Sequence, residues 1–322
     1  MKAESMSKRS IVGIVALVLG MALCFGLLGC SSGSSSSDSG SSGSSEGAVS
    51  EEEAQDSGVY VMTENKSTYG DYSYTYKYDR DENGNTKTYE SYTDDKLTTS
   101  ISYKYDEYGN ITSLTTTRYD EDGNDLGSNE TTYDIKLNSD NLVEKASAKT
   151  KEFEYSDGGT NPAGEIELTY KYSDGMLSEY SQMNTSETDQ QKNVNIGISK
   201  WNEFGFMTSY EQKHEYYGAD GKLDESTWED SEGNEHPMSY DYVYTYAYEG
   251  DGENPASATI KFEKDKGTVS FEYDENGNLS TVKDSKGNVL NEYKWELIEN
   301  PSISVIANAR NVGGWQGIIN VS

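Results

Sequence analysis

Residues 72–79 read Tyr72-Ser73-Tyr74-Thr75-Tyr76-Lys77-Tyr78-Asp79, with an aromatic ring at every second position and polar side chains between. Successive side chains of an extended chain point to opposite faces, so this spacing puts the rings on one face of a strand and Ser73, Thr75, Lys77 and Asp79 on the other. The stripe returns at Tyr240, Tyr242, Tyr244, Tyr246 and Tyr248. Shorter copies stand at Tyr103 and Tyr105, Phe153 and Tyr155, Tyr170 and Tyr172, Phe271 and Tyr273, and Tyr293 and Trp295. Aromatic and β-branched side chains suit a pleated, half-buried surface and pair well across strands. The alternation predicts strands from Val59 onward and few helices.

Between the stripes stand turn signals, among them Asn83-Gly84-Asn85, Gly109-Asn110, Asp122-Gly123-Asn124, Asp174-Gly175, Asp220-Gly221, Gly233-Asn234, Asn276-Gly277-Asn278 and Gly287-Asn288. Asn-Gly and Asp-Gly tolerate the positive φ that tight hairpins demand. Their recurrence predicts an antiparallel meander of repeated hairpins. One hairpin is marginal in water, and a flat open sheet leaves edges that invite aggregation. A long meander that curls its Tyr face inward escapes both problems. The sequence therefore predicts an all-β domain, 59–298, folded as one strongly curved, barrel-like sheet.

Tyr273-Asp274-Glu275-Asn276-Gly277-Asn278-Leu279, followed by Lys286-Gly287-Asn288 and Tyr293-Lys294-Trp295, resembles one YD repeat of the RHS type. Tyr105-Asp106 to Ile111 matches its first half, and Tyr78-Asp79 and Tyr119-Asp120 open looser copies. In RHS proteins such repeats are β-hairpins spiralling into a shell around a toxin. This chain has far fewer units, and nothing after Trp295 looks like a toxin domain. A nearer likeness is the group of secreted bacterial lipoproteins with YD-like repeats and a porin-like or barrel-like sheet of unassigned function.

Composition narrows the classes further. Lys and Arg number 26 against 57 Asp and Glu, a net charge of −31. Such a chain repels a phosphate backbone, so nucleic acid is not an expected partner. Two cysteines cannot build a disulfide scaffold or a four-thiolate zinc site. Hydrophobic residues make up 33% of the chain, against roughly 45–50% in a typical globular protein, so a conventional aliphatic core is not expected.

The N-terminus reads as an address. Lys2, Lys8 and Arg9 precede an uncharged run from Ile11 to Leu28, and Leu27-Leu28-Gly29-Cys30 resembles the lipobox of bacterial lipoproteins. That resemblance implies a signal peptide over 1–29 and diacylglycerol on Cys30, with an uncleaved membrane anchor as the alternative. Either places the body outside the cytoplasm, and the lipid makes the membrane a partner. Residues 30–58 then form a Ser/Gly-rich linker too polar to bury a core. At about 5–6 Å times the square root of its length, it sets the body some 30 Å from the bilayer. The segment 299–322, with Ile303-Ser304-Val305-Ile306 and Trp315 to Val321, reads as a final strand or tail.

Candidate sites are few. Asp79, Asp81, Asn83, Gly84 and Glu90 fit the calcium-loop formula, whose alternating oxygens and distal carboxylate suit Ca²⁺. Strand-like Tyr runs on both sides and Thr86 at the eighth position favour a plain hairpin turn. His214 and His236 lack metal-ligand spacing and read as surface histidines. No nucleophile elbow, phosphate loop or dinucleotide fingerprint occurs, and no cofactor is expected. Exposed aromatics offer the remaining chemistry, stacking on sugars or anchoring protein partners: Trp201, Trp228, Trp315, Tyr216 and Tyr217. The expectation is a non-catalytic, lipid-anchored envelope protein acting as a surface scaffold or display module. The alternative is a glycan- or protein-binding module.

Overall fold

A computed structural model describes residues 58–69, 72–161, 163–173, 176–187, 190–202, 206–229, 235–250, 252, 254–262 and 265–305. The chain is an antiparallel meander. β1 (Val59–Tyr69), β2 (Tyr72–Arg80), β3 (Thr86–Thr93), β4 (Lys96–Tyr105) and β5 (Ile111–Tyr119) each pair with the next. β6 (Asp125–Thr132) pairs with β5; beyond Tyr133 the chain continues as β7 (Asp134–Leu137), which pairs with β8 (Val143–Thr150). β8 pairs with β11 (Gly164–Ser173), after which β12 (Met176–Ser186), β13 (Lys192–Trp201) and β14 (Met207–Tyr217) follow in order. Then come β17 (Tyr240–Gly250), β18 (Pro255–Phe262), β19 (Asp265–Tyr273), β20 (Leu279–Asp284) and β21 (Val289–Ile298). Two small hairpins, β9 (Phe153–Glu154) with β10 (Thr160–Asn161) and β15 (Thr227–Glu229) with β16 (Glu235–Pro237), sit in the long connections.

β21 pairs back to β1, Val59 opposite Ile298 and Ser67 opposite Asn291. The pairings thus run round to their start as a nearly closed barrel. Among the described residues the ladder breaks only where β6 runs beside β8 without pairing to it. Closure removes the sheet edges that would otherwise seek another chain. Val59 and Ile298 meet at one end, here the proximal end. The long connections 151–163 and 218–239 lie at the other, distal end, as strand direction requires.

Five of the described turns share one construction. In Asp81 to Asn85, Asp106 to Asn110, Asp120 to Asn124, Asp274 to Asn278 and Asp284 to Asn288, the Asp Oδ1 accepts the backbone N–H groups two and four residues on. The closing Asn side chain donates back to the Asp Oδ2. The fourth residue is a glycine with φ between 79° and 85°, the left-handed region that a Cβ disfavours.

A second repeated contact ties neighbouring hairpins at the proximal end. Tyr105 donates its hydroxyl to the Thr86 carbonyl at 2.7 Å, Tyr172 to Val143 at 3.1 Å, Tyr248 to Met207 at 2.7 Å and Tyr273 to Pro255 at 2.8 Å. The indoles of Trp201 and Trp295 do the same to Leu177 and Leu279, and the Arg80 guanidinium to Met62. Each donor lies at or near the end of a strand running toward the proximal end; each acceptor lies at or near the start of the strand paired before it. In the Tyr105-Asp106 and Tyr273-Asp274 dipeptides, tyrosine ties one hairpin to the last while aspartate closes the next turn.

The tyrosine face points inward. Tyr78 lies opposite Tyr89 with ring centroids 5.4 Å apart, and burial pushes both hydroxyls far above the usual tyrosine range. The innermost positions are nevertheless aliphatic: Ile101, Leu114, Ile260 and Val282 are 0–1% exposed. The expectation of no aliphatic core is corrected to this extent. A few Ile, Leu and Val suffice because tyrosine rings fill the space around them. Tyr72, at the distal end of its stripe, is 56% exposed.

Charge lies outside. Lys136–Glu144, Lys171–Glu179 and Lys294–Glu64 pair across adjacent strands at 2.6–2.8 Å, and Lys104 on β4 reaches over β5 to Glu130 on β6 at 2.9 Å. Exposed pairs contribute about 1 kcal/mol or less each. At these positions the outer face is charged where a membrane-spanning barrel presents an apolar band, whereas the outer face of β13 carries Val194, Ile196 and Ile198.

The strand expected at Ile303 to Ile306 is corrected over its described part: residues 303–305 form a helical turn. Ser302 N–H donates to the Asn83 carbonyl, Ser304 N–H to that of Tyr108, and the Ser302 hydroxyl to Asn85 Oδ1 at 2.8 Å. This segment caps the turns instead. Val305 packs against Val61 and Ile298. Residues 306–322 lie outside the described residues.

Candidate functional site

Directly paired residues of antiparallel strands point to the same face. Starting from the core residue Leu168, the register carries the inner face to Gln182, Asn195, His214 and Tyr240 in one row. Tyr180, Gly197 and Gln212 form the row below, toward the proximal end, and Asn184, Asn193 and Tyr216 the row above. Over β12, β13, β14 and β17 the interior is thus lined by amides, an imidazole and tyrosines. Elsewhere the same face carries Ala146, Leu168, Ile260 and Val282. β13 shows the reversal in its sequence, with Asn193, Asn195 and Ser199 inside and Val194, Ile196 and Ile198 outside.

These side chains are partly linked. Gln182 Nε2 donates to Asn184 Oδ1 at 3.2 Å, and Asn195 Nδ2 to Asn193 Oδ1 at 3.4 Å. His214 Nδ1 contacts Asn195 Oδ1. That amide oxygen only accepts, so the Nδ1–H tautomer is favoured and Nε2 is left as an acceptor. The Tyr180 and Tyr210 hydroxyls meet at 3.1 Å, and Tyr210 reaches Gln212 Oε1 at 3.2 Å. Gly197 makes this possible: a Cβ there would overlap three carbons of the Tyr180 ring lying across it.

His214 is 5% exposed, stacked on Tyr240 with centroids 5.0 Å apart and tilted against Tyr216 at 4.6 Å. Burial holds its pKa down at about 4, against 6.5 for a free imidazole. It is therefore neutral at pH 7. A depressed base pKa means the unfolded chain binds the proton better. The stability is complete above pH 6.5 and is lost as pH falls from 6.5 toward 4. The expected loss is on the order of 2 kcal/mol after allowance for solvent screening. Urea denaturation of wild type and His214→Gln across this window checks it; parallel pH profiles would contradict it.

The expected site residues scatter. Tyr216 joins the inner wall beside His214, while Tyr217 points outward and donates to Glu215 at 2.7 Å. Trp201 is half-buried with its indole N–H on the Leu177 carbonyl. Trp228 stands opposite His236 in the β15–β16 hairpin, its side chain outside the described part, as is Trp315. Asp81 holds the first turn, Asn83 gives its N–H to Asp81, Asp79 pairs with Lys87 at 3.1 Å, and Glu90 accepts the Tyr92 hydroxyl at 2.7 Å. No group of three or more His, Cys, Asp or Glu placed to hold a metal occurs among the described residues. Cys30 lies outside them. The surface reading of His214 is corrected to a buried one. The missed signal was the pattern of amides at every second position in 182–184 and 193–195.

No family model matches the chain, and no curated protein matches it. Solved structures do. A porin-like protein from Bacteroides vulgatus aligns at 10% identity over 73% of this chain and 97% of its own, with a TM-score of 0.38. One from Bacteroides uniformis aligns at 14% identity over 72% and 96%, with a TM-score of 0.29. The TcdB2-TccC3-Cdc42 assembly aligns at 10% identity over 78% of this chain and 19% of the other, with a TM-score of 0.14.

Proposed function

We propose that this chain is a non-catalytic, lipid-anchored envelope protein that displays the distal end of its barrel away from the membrane. What supports this reading is the pairing of Val59 with Ile298 at the proximal end. A linker entering at Val59 joins the barrel there, so the long connections 151–163 and 218–239 face the opposite way. The charged outer wall suits a body standing in water beside a membrane. Cys30, following the lipobox-like Leu27-Leu28-Gly29, would carry the lipid, and acyl chains contribute about 0.8 kcal/mol per buried CH₂. The Tyr-Asp hairpins would be YD repeats closed into a ring.

The test is fractionation of cells expressing the full chain. Wild type is expected in the membrane pellet and labelled by radioactive fatty acid; Cys30→Ser is expected to lose the label and leave the mature membrane-anchored pool. Equal labelling and membrane retention in both forms would refute the anchor.

A further inference from the structure

Burying amides and an imidazole is unfavourable unless their hydrogen bonds are met, and round the rest of this barrel tyrosines and aliphatic residues fill most of the interior. Four buried polar atoms on inward-facing strand residues have no hydrogen-bond partner among the described residues: Thr116 Oγ1, Asn184 Nδ2, Asn291 Oδ1 and the Tyr293 hydroxyl. They come from β5, β12 and β21, so the unmet capacity faces the same interior from several sides. It includes a donor, an acceptor and two hydroxyls that can be either. Asn291 Nδ2 already reaches Asn65 Oδ1 at 3.3 Å, leaving its own oxygen over.

The amide wall itself carries no charged side chain. Exposed tyrosine rings stand in the inward register toward the distal end: Tyr240, in the row of His214, is 37% exposed, and Tyr72 on β2 is 56% exposed. Flat rings with amides and hydroxyls beside them match a molecule that has apolar C–H faces and neutral hydroxyls at its edges. A charged ligand has no opposite charge to meet on that wall.

We propose that the inner wall formed by β12, β13, β14 and β17 binds a small uncharged polyhydroxylated ligand of the saccharide class, entering from the distal end. Asn184 Nδ2 donates to a ligand hydroxyl, and Tyr216 and Tyr240 stack on the ring. This does not depend on the anchor: the fractionation above can fail while the interior still binds sugar, and the reverse.

The test is calorimetric titration of the detergent-solubilised full chain with glucose, galactose, N-acetylglucosamine, maltose and cellobiose, beside glucuronate and glucosamine as charged counterparts. At least one neutral sugar is expected to bind with a dissociation constant between about 10 μM and 10 mM, and the charged counterparts about tenfold or more weaker. Asn184→Leu is expected to weaken binding about tenfold, and to lower the melting temperature only slightly, because the unmet Nδ2 donor is removed together with the Oδ1 that accepts from Gln182. A merely structural role would move the melting temperature down and leave affinity alone. Three results would overturn the proposal: no heat from any neutral sugar up to 50 mM, which leaves the amides to ordered water; equal affinity for charged sugars; or unchanged affinity in Asn184→Leu.

Discussion

Gly197→Ala is expected to lower the melting temperature by roughly 5–10 °C, the equivalent of about 2–3 kcal/mol. A methyl group in place of a hydrogen is ordinarily mild in a strand, and alanine loses less backbone entropy on folding than glycine. Here the added carbon would overlap the Tyr180 ring, which is held in place by the Tyr210 hydroxyl. The ring must swing away, breaking the Tyr180–Tyr210–Gln212 chain. The diagnostic is the double variant. Tyr180→Ala removes the obstacle, so Tyr180→Ala with Gly197→Ala should be no less stable than Tyr180→Ala alone. Thermal denaturation of the three variants reads this coupling. A neutral Gly197→Ala, or costs that simply add, would show that Tyr180 does not lie across β13.

Gly109→Ala is expected to cost about 3 kcal/mol, while Gly123→Ala costs about 1 kcal/mol, although both sit in the same turn construction. Their φ angles are 85° and 83°, so the backbone strain is shared. Their surroundings differ. A Cβ at Gly123 meets nothing within 4 Å; at Gly109 it would overlap Ser302 Oγ and Asn85 Oδ1, which hydrogen-bond to each other. The excess therefore measures the seating of the C-terminal turn on the proximal end. Adding Ser302→Gly to Gly109→Ala should recover part of the difference, read as denaturation midpoints at constant slope. Equal losses in Gly109→Ala and Gly123→Ala would mean that the turn at 302–305 is not seated there.

Much of this architecture was legible because its causes are local. The stripe at Tyr72 to Tyr78 follows from a two-residue period, and the Asp106 to Asn110 turn from a carboxylate within reach of N–H groups two and four positions on. The tie from Tyr105 to Thr86 was not legible, since nothing in a Tyr-Asp pair says which carbonyl the hydroxyl will find. Trp201 illustrates the converse. It read as an exposed anchor, yet its position at the proximal end of β13 brings the indole to Leu177 and removes it from the solvent face.

The inner wall was missed for a related reason. An Asn on a strand reads as polar and therefore outward, and only the register from Leu168 through Gln182 to His214 turns it inward. Alternation fixes that two faces exist without saying which of them is inside. For β2 the tyrosines settle the matter; for β13, with Val194, Ile196 and Ile198 on one face and amides on the other, the strand alone points the wrong way.

By itself the order of residues determined the strands, their turns and the antiparallel path, all consequences of φ, ψ and contacts a few positions apart. The tertiary structure alone decided that β1 meets β21, bringing Asn65 and Asn291, 226 residues apart, into contact. It alone decided that an amide wall faces inward and that the C-terminal segment coils onto the turns. Those outcomes depend on the space left when every other strand is in place, and no local preference encodes it.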